Sequence, residues 1–225
     1  MDRLEFLKKM KTAVLAAGLL MMSTSCAFSG NSGNTVLNGD LKFTQADLSV
    51  KPFMKIEIET VADVYYTQTN GDQQDVRLDF SKISDPKFKK QLMENVKVVY
   101  RENKMIIGLA SRVKGISKLK NNERLRVYVT SPDLVKVSLE GVGSFNANAI
   151  NSDVFEIDNE GVGNVNVKNL LANKIEITNE GVGNVRIDNM QSDHVDIDNE
   201  GVGNVQIALF KGGHLDIDNE GVGKV

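Results

Sequence analysis

The tetrapeptide Glu140-Gly141-Val142-Gly143 returns as Glu160-Gly161-Val162-Gly163, Glu180-Gly181-Val182-Gly183, Glu200-Gly201-Val202-Gly203 and Glu220-Gly221-Val222-Gly223, each copy twenty residues after the last. A fixed period of that length is the signature of a solenoid, in which each repeat is one unit stacked on the next. The flanks repeat as well: Val195-Asp196-Ile197-Asp198 precedes one copy, and Asn204-Val205-Gln206-Ile207 follows it. Apolar and polar residues take turns there as in a half-buried strand. Each repeat therefore reads as strand, glycine corner, strand, loop.

Set in columns, Phe155, Ile175, Val195 and Leu215 share one position and Ile157, Ile177, Ile197 and Ile217 another. Val165, Val185 and Val205, then Val167, Ile187 and Ile207, then Leu170, Met190 and Phe210 follow the same rule. All are expected to point inward, and so are the corner valines Val162, Val182 and Val202. If one repeat makes one coil, identical positions stack at the strand spacing of about 4.8 Å. The glycine pairs Gly141 and Gly143, Gly161 and Gly163, Gly181 and Gly183, Gly201 and Gly203, and Gly221 and Gly223 then mark a corner. That corner needs positive φ or close backbone approach. Asn159, Asn179, Asn199 and Asn219 precede it, where Asn tolerates the left-handed region and can stack into a side-chain ladder. Propeller blades and sandwiches require longer repeats or unequal turn spacing, so a coil of a parallel β-helix fits better.

The start of the chain is a separate matter. Arg3, Lys8, Lys9 and Lys11, an apolar run over 12–22, and Ser23-Thr24-Ser25-Cys26 form the three regions of a secretory signal. The run is too short to span a bilayer comfortably. Cys26 is the only cysteine, which excludes an intrachain disulfide. Its place behind small residues resembles a bacterial lipoprotein signal, with Ser23 where such signals usually carry Leu. That resemblance implies a lipidated Cys26 at the mature N-terminus, held on a membrane at about 0.8 kcal/mol per buried methylene. Residues 1–25 are then a signal peptide, and 26–37, rich in Gly, Ser and Asn, a flexible tether.

Between the tether and the repeats the pattern predicts short strands at Leu41-Lys42-Phe43, 55–59, 61–68 and 76–80, the last two joined by a hairpin at Asn70-Gly71-Asp72. Asp85-Pro86 supplies an N-cap and N1 proline for one helix ending near Asn95. Strands resume at 96–100 and 105–107, with Glu102-Asn103 between them, and at 125–129. A loop bearing Arg112, Lys114, Lys118 and Lys120 carries no interleaved aromatics for base stacking, so nucleic acid is not an expected partner.

Charge divides near residue 130. From Ser131 onward there are 6 Lys and Arg against 16 Asp and Glu, leaving 21 against 14 of the chain's 27 and 30 before it. The repeat half is thus about −10 and the front half about +7, which favours packing or alignment of opposite charges.

Three stretches carry a family resemblance: Phe53-Met54-Lys55-Ile56-Glu57-Ile58-Glu59-Thr60-Val61-Ala62-Asp63-Val64-Tyr65-Tyr66, the segment from Leu125 through Pro132-Asp133-Leu134, and the Gly-x-Gly-Asn repeats. Together they resemble the auto-transporter adhesin, head GIN domain family over residues 44–225. The resemblance implies a secreted or lipid-anchored bacterial protein with an all-β, right-handed parallel β-helix-like solenoid of 20-residue coils. A less regular β-rich N-terminal half with one short helix comes before it. The expected head GIN-like domain is 38–225, irregular over 38–130 and regular over 131–225. Two features depart from the family. Glu-Gly-Val-Gly replaces a small polar turn, and the sequence stops at Lys224-Val225 inside a coil, which would leave strand edges open to end-to-end pairing.

Chemistry-bearing residues fall in columns. Glu156, Glu176, Asp196 and Asp216 form one outward acidic column, Asp158, Asp198 and Asp218 another, and the corner Glu a third. Like charges at coil spacing repel by a few tenths of a kcal/mol each. A hard cation such as Ca²⁺ on Glu160, Glu180, Glu200, Asp198 and Asp218 would offset this, and so would hydration and salt. His194 and His214 share a column with Val154 and Lys174, so no metal site is expected from them, and no cofactor. Two neighbouring histidines and one lipidated cysteine give no nucleophilic triad. The outward column Asn146, Asn166, Arg186 and Gln206 offers a single Arg, too few basic residues for the catalytic groove of a polyuronate-cleaving enzyme.

The expectation is a non-catalytic, adhesin-like binding protein of the cell envelope, anchored to a membrane by its N-terminal lipid. It would present a repetitive acidic and Asn-rich face to a glycan, a cell-wall polymer or another copy of itself. The alternatives are a pectinase-like, polysaccharide-active β-helix enzyme and an end-to-end assembling structural envelope protein.

Overall fold

The computed structural model describes residues 36–37, 40–41, 50–116 and 123–225. The signal peptide, Cys26, most of the tether, Phe43, Lys118 and Lys120 lie outside the described residues. β1 (Val36–Leu37) and β2 (Asp40–Leu41) pair antiparallel, so the last two residues assigned to the tether take part in a strand pair. The remaining strands are β3 (Lys55–Ile58), β4 (Val61–Gln68), β5 (Asp75–Asp79), β6 (Val96–Arg101), β7 (Lys104–Leu109), β8 (Leu125–Ser131), β9 (Lys136–Leu139), β10 (Val142–Asn151), β11 (Val154–Asn159), β12 (Val162–Leu171), β13 (Lys174–Asn179), β14 (Val182–Asn199) and β15 (Val205–Asn219), with one helix, α1 (Pro86–Asn95). The described chain is all-β with one short helix, and its main sheet is strongly curled.

The twenty-residue period becomes parallel strand register. Val165 pairs with Val185 and Val185 with Val205 along β12, β14 and β15. Ile157, Ile177 and Ile197 do the same along β11, β13 and the second half of β14. Two parallel stacks result, one before and one after each stretch of 152–153 or 172–173, and β14 and β15 run through both without a break. The expected loop therefore shrinks to a bend. Ser192 is buried at that bend and donates its hydroxyl to the carbonyls of Asn173 and His194.

The glycines owe their place to close approach. A Cβ on Gly183 would lie 1.6 Å from the Gly163 carbonyl oxygen, and one on Gly161 2.2 Å from that of Gly141. No side chain fits at such distances. Amides also pass the corner from coil to coil, as from Gly181 N–H to Asn159 O at 2.7 Å.

Two sequence expectations about this corner are corrected. Val162, Val182 and Val202 are 50–51% exposed and point outward. Inward positions fall two apart through Phe155, Ile157, Asn159 and Gly161, pass the half-buried Gly163 and continue at Val165 and Val167, so the glycines take the inward sites and the valines the outward ones. Asn159, Asn179 and Asn199 are not in the left-handed region, since Glu102 and Asn103 are the non-glycine residues with positive φ among those described. They are fully buried instead, and the amide of each donates to the carbonyl oxygen of the next, Asn159 to Asn179 at 2.6 Å and Asn179 to Asn199 at 2.5 Å.

The irregular half contains a segment in register with the repeats. Val61 and Ala62 pair with Val142 and Gly143, so Glu59-Thr60-Val61-Ala62 occupies the place of a Glu-Gly-Val-Gly corner. The predicted hairpin between β4 and β5 does not form, because β8 lies between them, parallel to β4 and antiparallel to β5. Buried alternation on β8, with Leu125, Val127 and Val129 inward, makes it a central strand able to pair on both sides. The β6–β7 hairpin does form, with φ of 50° at Glu102 and 61° at Asn103, the signs a type I′ turn requires. α1 is capped as its sequence predicts: the Asp85 carboxylate accepts from the amides of Lys87 at 2.8 Å and Phe88 at 3.0 Å, and Leu92 anchors the helix in the core. One continuous core runs from Phe53 and Phe80 through Phe145 and Phe155 to Val205.

Candidate functional site

Alternation turns the polar columns outward, and the two strand stacks carry them on different faces, so the single acidic and Asn-rich face expected from the sequence divides in two. β9, β11, β13 and the second halves of β14 and β15 carry the acidic one. Glu156, Glu176, Asp196 and Asp216 stand in register, as do Asp158, Thr178, Asp198 and Asp218. Lys136 relieves the N-terminal end of both columns, with Nζ 2.5 Å from Glu156 Oε1 and 3.3 Å from Asp158 Oδ2. Burial works against its charge, but the Glu156 carboxylate outweighs that, and its pKa is raised. Lys174 Nζ lies 3.6 Å from Glu176. Further along, Asp198 and then Glu180 push the pKa of Glu200 up.

Among Glu160, Glu180, Glu200, Asp198 and Asp218, Glu200 feels Asp198 first, then Glu180, with Asp218 weaker. These are not the carboxylates that converge most closely among the described residues. Those are Glu57, Glu59 and Glu140, whose oxygens lie within 4.8 Å of one another. Burial, then Glu57, raises the pKa of both Glu59 and Glu140. The Lys104 ammonium ion-pairs with Glu57, so this cluster already holds a cationic side chain. His194 and His214 pack as neighbours with ring centroids 5.6 Å apart, in register with Lys174.

The other face belongs to β5, β8, β4, β10, β12 and the first halves of β14 and β15. One row crosses all seven strands: Arg77, Tyr128, Tyr65, Asn146, Asn166, Arg186 and Gln206. Tyr65 and Tyr128 stack at 5.3 Å between centroids, and the Arg77 guanidinium sits 4.4 Å from the Tyr128 ring centre. Asn166 donates to Asn146 at 3.1 Å, and Arg186 Nε to Asp188 at 3.0 Å. The sequence exposes the last four members of this row as a column but hides the first three. They lie in strands that join the sheet out of sequence order.

A second row runs beside it through Asp63, Ser144, Asn164, Asn184 and Asn204 to Lys224. Ser144 donates to Asp63 at 2.9 Å. Asn164 Oδ1 accepts from both the backbone N–H and the side-chain amide of Asn184, at 3.1 and 3.0 Å. Asn204 binds Asn184 in the same way, and the backbone N–H of Lys224 closes on Asn204 Oδ1 at 3.1 Å. Asn164, Asn184, Asn204, Arg186, Gln206 and Lys224 line one recess of about 580 Å³.

Residues 52–225 match the family model described as "Putative auto-transporter adhesin, head GIN domain". The chain belongs to this family. A head GIN domain thus takes in both faces and the corner-like segment Glu59-Thr60-Val61-Ala62. The chain is also similar to a solved structure from Bacteroides fragilis described as a "putative adhesin". The two share 23% identity and a TM-score of 0.53 over 78% of this chain and 92% of that one. A second "putative adhesin", from Parabacteroides merdae, shares 15% identity at a TM-score of 0.42, covering 78% of this chain and 93% of that one. A protein from Parabacteroides distasonis described as a "putative lipid binding protein" shares 14% identity at 0.43, covering 79% and 94%. No curated protein matches the chain.

Proposed function

We propose that this head GIN protein is an exported, non-catalytic, adhesin-like binding protein, lipid-anchored through Cys26 in the cell envelope. Its 20-residue coils wind as a parallel β-helix-like solenoid that carries the binding face. The observation behind this reading is the repetition itself. Successive repeats carry the same side chain at the same outward position, as with Asn164, Asn184 and Asn204, whose amides bond one to the next. A periodic surface suits a periodic partner, such as a glycan or a cell-wall polymer. The family membership and the adhesin-like descriptions of its structural neighbours point the same way.

The test has two arms. Fractionation of the producing cell should find the protein with membranes and Cys26→Ser in the soluble fraction. The anchored protein should retain envelope polymer through washing. Equal partition of both forms rejects the anchor, and retention of no envelope material rejects the binding role. Self-association is a second reading, which the repetition of outward side chains in parallel register also suits. Concentration-dependent sedimentation would support it.

A further inference from the structure

We propose that the Asn164–Asn184–Asn204 face binds an anionic glycan, one bearing carboxylate or sulfate groups, in the recess that ends at Arg186 and Lys224. The inference rests on the binding role proposed above and names its ligand class. The argument starts from hydrogen-bond inventory. A backbone N–H can face only an acceptor, so the amides of Asn184 and Asn204 fix the orientation of Asn164 and Asn184 with Oδ1 toward the following coil. Each of these oxygens then takes two donors, one from the backbone and one from a side chain, which fills its lone pairs.

What each link offers outward is the remaining hydrogen of its Nδ2. The column is a row of donors in which the oxygens of Asn164 and Asn184 are filled and only that of Asn204, which takes the single Lys224 N–H, keeps a lone pair. Its neighbours extend the same bias. Lys224 carries an ammonium group, and Arg186 commits Nε to Asp188, leaving its terminal nitrogens for a ligand. Asp188 is the carboxylate on this stretch of the face and is already engaged by Arg186. Among the recess side chains, Asn166, Gln206 and one lone pair of Asn204 retain acceptor capacity, against a longer row of outward N–H donors.

A ligand matched to this surface is rich in acceptors and carries negative charge. Charge-assisted bonds from amide, guanidinium and ammonium to an oxyanion are about twice as strong as neutral ones. The segregation of charge makes this possible in a chain of net charge −3, because the acidic columns stand on the other strand stack. One N–H donor per coil also suits a polymer lying across the strands, with successive residues meeting successive coils.

The experiment is calorimetric titration of the purified protein with polygalacturonate, dextran sulfate and uncharged dextran, each at low and high salt. Binding of either charged polymer, weakened by salt, with no heat from dextran, is the expected result. Which of the two binds separates carboxylate from sulfate recognition. The double variant Arg186→Gln, Lys224→Gln should weaken binding about tenfold or more. Glu176→Gln on the acidic face should leave it unchanged, and thermal melts should show all variants folded. Equal binding of dextran overturns the ligand class, and equal loss in Glu176→Gln overturns the site. Silence with all three polymers from a protein that still retains envelope material overturns this inference while leaving the binding role standing.

Discussion

Asn179 is fully buried and linked to both neighbours, whereas Asn159 begins the ladder with an Oδ1 that has no partner. Leu139 occupies the same column one coil earlier, so leucine already fits there. Asn159→Leu removes one hydrogen bond and passes the orphan oxygen to Asn179, leaving the number of unpaired groups unchanged. Asn179→Leu strands the Asn159 amide and the Asn199 oxygen together, each worth about 1–3 kcal/mol. Urea titration should therefore show Asn179→Leu to be the more destabilising variant by at least that single-group amount. At the corner, Gly183→Ala should cost about 2–4 kcal/mol, because its methyl meets backbone, while Val182→Ala stays within about 0.5 kcal/mol. Ile187→Ala, fully buried, should cost about 2–5 kcal/mol. The glycine constraint was legible in the sequence as periodicity, and the valine was misread from its apolar character. Counting back in twos from Val165 puts Gly163 and Gly161 inside and Val162 outside, so the information was present. Residue type concealed it.

Elements formed where local signals agreed with tertiary pairing. α1 begins at the residue its cap and proline predict and ends at Asn95 as expected, and Asp85→Ala should lower stability by about 0.5–2 kcal/mol. The β4–β5 hairpin failed although its turn signal was good. Turn chemistry brings two strands near one another, but β8, with two edges to satisfy, took the place between them. A strand arriving 57 residues after β4 leaves no local mark of that competition. The columns along β13, β14 and β15 carry a further consequence, since neighbouring carboxylates hold the pKa of Glu200 above its ordinary 4.5 in the folded state. A raised carboxyl pKa gives stability that is complete below the unfolded value and is lost as pH rises through the folded one. Glu200→Gln should therefore weaken the fall of the melting midpoint between about pH 4.5 and neutrality, and added salt should shrink the difference from the parent. A midpoint whose pH dependence is identical in the two proteins at low salt would refute the repulsion.

At the scale of the whole molecule, the two strand stacks were legible from the period, and the division of charge between them was not. The sequence shows an acidic half. Pairing of β11 with β13 and of β13 with β14 gathers the carboxylates on one stack, and pairing of β10 with β12 and of β12 with β14 gathers the amides on the other. The same architecture makes the coil, rather than the strand, the unit that can be removed. Deleting residues 164–183 joins Gly163 to Asn184 and sets each remaining strand against a partner in its native register. Nearest-neighbour stacking predicts a folded, cooperative protein with less stability and a urea m-value smaller by roughly a tenth, since less surface is exposed on unfolding. Deleting 174–183 removes as many residues as half a coil. It deprives β11 of its partner on one side and leaves the chain on the wrong stack, so the asparagine ladder and the glycine corner both lose their contacts. Circular dichroism and urea titration of the two deletions should show the longer one folded and the shorter one not. If the shorter deletion is the better tolerated, the strands do not depend on coil register.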